Sequence, residues 1–159
     1  AVDEEHALLP ANPYGLSKLA QELVATGPGG HANSFVARPF NHVGPRQAPS
    51  FVSAAFAKQI AEIEAALVPP EIHVGNLDAR RDLTDVRDTV RAYRLIAERG
   101  VPGRPYNICT GKAVAVQDVL DVLVSQARVS VRVVERTVEH VGFDLVPECA
   151  LGSAADTAQ

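Results

Sequence analysis

Asn12-Pro13-Tyr14-Gly15-Leu16-Ser17-Lys18-Leu19-Ala20 begins as a helix begins. Asparagine is a good N-cap, and proline suits the first helical position because its missing N–H would be unpaired there anyway. Leu16, Leu19, Ala20, Leu23 and Val24 then recur at helical spacing, and Gly27-Pro28-Gly29-Gly30 ends the run. Tyr14 and Lys18 therefore stand one turn apart on the same helix face. An ammonium beside a phenol favours the phenolate, which is expected to draw the tyrosine below its reference pKa of about 10. A tyrosine so tuned can pass a proton to or from a carbonyl or hydroxyl group whose carbon exchanges a hydride with a cofactor. By itself, Tyr-x-x-x-Lys more often marks a solvated helix face, since both residue types are common on helices.

Outward from that helix, Ser34-Phe35-Val36-Ala37-Arg38 is short and apolar, as a buried parallel strand is. A second helix is expected from Phe51 to Leu67, with Val52, Ala55, Phe56, Ile60, Ile63 and Leu67 along one stripe. Pro69-Pro70 stops it, and Ile72-His73-Val74-Gly75 reads as a strand. Asp85 suits the cap of a third helix, striped by Val86, Val90, Tyr93, Ile96 and Ala97 and closed by Gly100. Tyr106 to Cys109 is the next strand, with Cys109 buried in it. A fourth helix over Val116 to Ala127 turns Val119, Leu120, Leu123 and Val124 inward, and Val129 to Val134 alternates as a strand. Residues 136–159 read as a loose tail. Helices alternating with strands predict an α/β fold with a parallel sheet and helical crossovers.

The bulk numbers narrow the function classes. The chain has 159 residues, 47% of them hydrophobic, enough for one ordinary core. A net charge of −4 and the lack of any basic stretch disfavour nucleic acid as a partner. No apolar run approaches the ~20 residues of a membrane span. The start, Ala1-Val2-Asp3-Glu4-Glu5, has no signal-peptide character. Cys109 and Cys149 lack metal-ligand spacing and read as reduced thiols, so the expected setting is cytoplasmic and no metal site is expected. The chain contains no methionine, even at position 1, which favours a fragment of a longer protein.

Ligands of open α/β sheets gather beyond the carboxyl ends of the strands. The loop after the Ser34–Arg38 strand carries Asn41, His42 and Arg46. Asn41 can donate and accept hydrogen bonds to a sugar or phosphate, or tie down its own turn. His42 is read as a positioning or cofactor residue, and Arg46 has the planar fork that suits a phosphate or simply faces solvent. Arg80-Arg81, just ahead of a helix start, could hold a diphosphate or belong to a solvated loop of mixed charge. Asp85 and Asp88 fit the cap and the positive helix end better than acid–base work. Nucleophile-elbow, zinc-helix, Cys-x-x-Cys and phosphate-loop patterns are missing, and so is the glycine-rich dinucleotide fingerprint.

Four segments in order, Asn12 to Lys18, Ala37-Arg38-Pro39-Phe40-Asn41-His42-Val43-Gly44-Pro45-Arg46-Gln47, Arg81-Asp82-Leu83-Thr84-Asp85-Val86-Arg87-Asp88 and Tyr106-Asn107-Ile108-Cys109-Thr110-Gly111, resemble the extended short-chain dehydrogenase/reductases. These are the NAD-dependent epimerases and dehydratases of nucleotide sugars. His73-Val74-Gly75-Asn76-Leu77-Asp78 and the Phe-Asn-His…Gly-Pro-Arg-Gln stretch point to the branch of GDP-mannose 4,6-dehydratases and GDP-4-keto-6-deoxy-mannose reductases. The resemblance implies that Tyr14 is the acid/base and Lys18 its partner. It implies cofactor contacts at Tyr14, Lys18, Pro39, His42 and Arg46, and substrate contacts at Asn41, Phe51, Lys58 and Arg81, the last on the diphosphate. The implied reaction is hydride transfer between NADP(H), favoured over NAD, and C4 of a GDP-linked 4-keto-6-deoxy-hexose, in a homodimer. A 4,6-dehydratase is the close alternative, and a non-catalytic remnant that binds a partner is the distant one. The family's glycine-rich turn and triad serine or threonine have no counterpart here. The expectation is thus a carboxyl-terminal half, poorly active alone. It would comprise the end of a truncated Rossmann domain over 1–50 and a substrate lobe over 51–135, interleaved with a returning Rossmann segment near 84–111.

Overall fold

A computed structural model describes residues 2–30 and 33–135; the tail expected over 136–159, Cys149 included, lies outside the described residues. The chain runs α1 (Pro13–Thr26), β1 (Val36–Pro39), β2 (Asn41–Val43), α2 (Val52–Glu64), β3 (Glu71–Val74), β4 (Arg80–Asp85), α3 (Val86–Arg99), β5 (Pro105–Ile108), β6 (Ala113–Ala115), α4 (Val116–Ser125) and β7 (Arg132–Glu135). The α/β expectation holds, with parallel pairing of β1 with β5, β2 with β4, and β3 with β7. Three strands, β2, β4 and β6, form where the sequence reads as loop, and β6 runs antiparallel to β4. None has an apolar alternation of its own; each becomes a strand because a neighbour supplies its ladder bonds. Asp85, expected as a helix cap, is the last residue of β4, which runs directly into α3.

The chain divides into two compact units. One holds the described residues up to Phe40 together with Arg87–Ile108. Its strands β1 and β5 bury Val36 and Ile108, and β5 is tied to the start of the chain by polar contacts. Asn107 N–H donates to Glu4 Oε1 at 2.8 Å, and the Asn107 side-chain amide donates to the Val2 carbonyl at 3.2 Å. The Asn107 N–H in turn holds the Glu4 carboxyl below its ordinary range. Among the described residues, both helices of this unit leave apolar stripes bare: α1 buries no residue, and in α3 only Thr89 is buried. Cys109, expected inside a strand, is exposed one residue beyond β5.

The other unit holds Asn41–Val86 and the described residues from Cys109 onward. Its core is Phe56 and Ile60 of α2, Ile72 and Val74 of β3, Leu77, and Val116 and Leu120 of α4. Ile72 and Leu120 are fully buried. Burial of such side chains stabilises by about 1.5–3 kcal/mol each. β7 pairs with β3 on one side. On the other side the Gln59 amide occupies the His73 backbone groups of β3, accepting from His73 N–H at 2.9 Å and donating to the His73 carbonyl at 3.1 Å. A side chain thus closes a sheet edge that another strand could otherwise join.

Candidate active site

The first cluster lies on α1. The Asn12 side chain accepts from Gly15 N–H at 2.8 Å, which caps the helix and sets the orientation of its first turn. A Cβ on Gly15 would come within 3.3 Å of Pro10 Cβ, so glycine lets the incoming chain lie against this turn. Tyr14 follows in the first turn and is 48% exposed, leaving its ring open to a ligand. Lys18 Nζ stands 5.4 Å from the centroid of that ring and donates to Gln21 Oε1 at 3.3 Å. The two side chains turn the same way, and the ammonium meets the face of the ring in a cation–π contact. Pro39, in the same unit, closes β1 opposite Ile108.

Arg38 is the polar anchor of this region, and nothing in the local pattern announces it. Its guanidinium donates to Glu22 Oε1 at 2.5 Å and Oε2 at 3.0 Å, and to the Glu4 carbonyl at 2.9 Å. The Glu22 hydrogen bond raises the Arg38 pKa further above its already high range. The contact joins α1 to β1, with both side chains mostly shielded from water.

The second cluster belongs to the other unit. β2 carries Asn41 and His42 and lies beside β4, with Asn41 opposite Leu83 and His42 opposite Thr84. Thr84 Oγ1 donates to the Asn41 carbonyl at 3.3 Å. β4 also carries Arg81, whose Nη1 donates to the Arg80 carbonyl at 2.7 Å. Asn41, His42 and Arg81 thus come from two adjacent strands. Gly44 passes so close to Val86 that a Cβ would sit 2.4 Å from its Cγ1. Arg46 follows with φ 69°, a left-handed conformation that a non-glycine residue rarely holds without a reason. Gln47 braces this loop: its amide donates to the His42 carbonyl at 3.0 Å and accepts from Ser53 Oγ at 3.3 Å.

Phe51 stands just ahead of α2, 47% exposed and without a side-chain capping bond. Lys58 faces solvent, with Nζ 3.7 Å from Glu62 in an i,i+4 pair that any surface helix carries. Among the described residues, no group of histidine, cysteine and acidic side chains has the arrangement of a metal site. Within the same residues, no helix is long and apolar enough to cross a membrane.

A family profile described as GDP-mannose 4,6 dehydratase matches residues 1–148. The chain is 38% identical over 136 residues to the GDP-6-deoxy-D-mannose reductase of Pseudomonas aeruginosa, an alignment covering 84% of the chain and 45% of the relative. It is 30% identical over 122 residues to a GDP-mannose 4,6-dehydratase of Sordaria araneosa, covering 74% of the chain and 22% of the relative. Among solved structures, RMD from Pseudomonas aeruginosa complexed with NADPH superposes with a TM-score of 0.79 at 36% identity, over 87% of this chain and 48% of that one. MoeE5 in complex with UDP-glucose and NAD superposes at 0.68 with 26% identity, over 86% and 46%. The chain spans less than half the length of each of these proteins.

Proposed function

The chain belongs to the GDP-mannose 4,6-dehydratase family, and from that premise we propose that its protein is an NADP(H)-dependent reductase of a GDP-linked 4-keto-6-deoxy-hexose. The observation that supports this most is Lys18 lying over a half-exposed Tyr14 at the start of a capped helix. The 38% identity to a GDP-6-deoxy-D-mannose reductase favours the reductase over the 4,6-dehydratase that the family's description names.

The residues fit a nicotinamide nucleotide. An ammonium has three donors, and Lys18 spends one on Gln21, so donors remain for ribose hydroxyls. Pro39, His42 and Arg46 are the further cofactor contacts that the family resemblance implies. When bound, the cofactor supplies the hydride that C4 receives. Tyr14 then gives its hydroxyl proton to the C4 oxygen, completing the alcohol, and regains a proton from solvent. Asn41 would orient the sugar, Phe51 and Lys58 would border the nucleotide, and the Arg81 fork would take the diphosphate. The first unit would be the closing part of a nucleotide-binding domain and the second the substrate lobe. A homodimer would cover the apolar stripe of α1, where Leu16, Leu23 and Val24 are exposed.

The experiment is NADPH oxidation by the full-length protein with GDP-4-keto-6-deoxy-mannose, followed by absorbance. Tyr14→Phe is expected to lower kcat by about 10²–10⁴-fold, the range for a positioned proton donor. Turnover unaffected by the substitution rules out the acid role, and no turnover by the unaltered protein rules out the reductase.

A further inference from the structure

Asp82 adjoins Arg81 on β4 and has no part in the chemistry above. Its carboxylate accepts three hydrogen bonds from one turn: Oδ1 from Thr110 N–H at 2.8 Å and the Thr110 hydroxyl at 2.7 Å, and Oδ2 from Gly111 N–H at 2.7 Å. Gly111 has φ +76°, which glycine adopts without strain. Arg80 Nη2 donates to the Ala113 carbonyl at 2.9 Å, two residues further along the same segment. That segment becomes β6, whose pairing with β4 sets Arg80 opposite Ala115, Arg81 opposite Val114 and Asp82 opposite Ala113.

Successive side chains of a strand leave opposite faces. Arg80 and Asp82 therefore share one face of β4, and Arg81 between them belongs to the other. The two flanking residues grip the turn while Arg81 is presented away from it. We propose that Asp82 is a positioning residue for Arg81. By locking residues 110–113 to β4 it fixes the β4–β6 register, and with it the backbone from which Arg81 reaches the diphosphate. This rests on the assignment of Arg81 to the substrate diphosphate made above. The bonds lie at the surface, where their contribution to global stability is small, so their main effect is local geometry. Asparagine would keep the shape and one acceptor but would turn an NH₂ towards the Gly111 N–H, opening the clamp at that point.

The test is GDP binding by titration calorimetry to the full-length protein carrying Asp82→Asn, Thr110→Val, Arg81→Ala, or Arg81→Ala with Asp82→Asn. Thermal melts establish that each variant is folded. Asp82→Asn is expected to raise the Kd about tenfold, the scale of one charge-assisted bond lost between a misplaced Arg81 and the diphosphate. Thr110→Val, which removes only the 2.7 Å hydroxyl bond, is expected to shift it the same way by less. The double variant should bind no more weakly than Arg81→Ala alone, because Asp82 acts through Arg81. If Arg81→Ala weakens binding and Asp82→Asn does not, the positioning role is wrong while the diphosphate assignment stands. If Arg81→Ala itself leaves the Kd unchanged, the assignment falls and the positioning role with it. An additive double variant, or loss of folded protein in both Asp82→Asn and Thr110→Val, also overturns the proposal.

Discussion

Glu22→Leu asks what holds the helix that carries Tyr14. Among the described residues α1 has no buried side chain, so apolar area within this chain contributes little to its attachment. Arg38 and Glu22 instead make two charge-assisted bonds, at 2.5 and 3.0 Å, with side chains only 11% and 19% exposed. Removing one member of a fully buried pair destabilises by about 3–5 kcal/mol, because the remaining charge is left unpaired. Here some solvent still reaches both groups, and Arg38 keeps its 2.9 Å bond to the Glu4 carbonyl. The expected loss is therefore smaller, about 2–3 kcal/mol. Urea unfolding of the full-length protein would measure it, alongside Arg38→Met and the double substitution. Methionine and leucine together leave no stranded charge, so the double variant should be more stable than Glu22→Leu alone. A single substitution costing less than about 0.5 kcal/mol, the range of ordinary surface changes, would refute the anchoring argument. So would a double variant destabilised by the sum of its parts.

Three further outcomes follow from the packing and the titrating groups. Leu120→Ala, at a fully buried position among Phe56, Ile60 and Ile72, should cost about 2–5 kcal/mol by denaturant midpoint, and Leu120→Met less than about 1.5 kcal/mol. Asn12→Ala removes the acceptor of the 2.8 Å capping bond and should weaken α1 by about 1 kcal/mol, visible as faster hydrogen exchange at the Gly15 amide. The carboxyls of Glu4 and Glu71 are held below their ordinary 4.5, the first by Asn107 N–H and the second by a hydrogen bond from Arg132. Lowered folded values mean that both contribute stability above about pH 4.5 and lose it as the pH falls through those values. Glu4→Gln with Glu71→Gln should therefore flatten the acid limb of the stability–pH curve, and an unchanged limb would count against both contacts.

The helices were legible because their signals are local. Asn12 and Pro13 open α1, Pro69-Pro70 follows α2, and apolar spacing marks α4. The apolar runs behind β1, β3, β5 and β7 were readable for the same reason. Periodicity identifies an apolar face but not what covers it, so the stripe of α1 was visible in sequence while its exposure was not. β4 shows the other limit. Arg80, Arg81, Asp82 and Asp85 look like a solvated loop. They form a strand because β2 and β6 flank it and because Asp82 and Arg80 find partners near Thr110 and Ala113.

The candidate site divides along the same line. Tyr14 and Lys18 are one helical turn apart, so their meeting followed from spacing alone. Asn41 meets Thr84 across 43 positions and Asp82 meets Thr110 across 28. No window of sequence contains both members of either pair. This difference bears on the chemistry as well. On the proposed reading, a proton donor and its neighbouring cation are set by one capped helix, whereas the proposed diphosphate contact at Arg81 sits on a strand paired with segments from elsewhere in the chain. Substitutions in the α1 pair should therefore change turnover with little effect on GDP affinity. Those around β4 should change GDP affinity first, and that split separates the two clusters without any further structure.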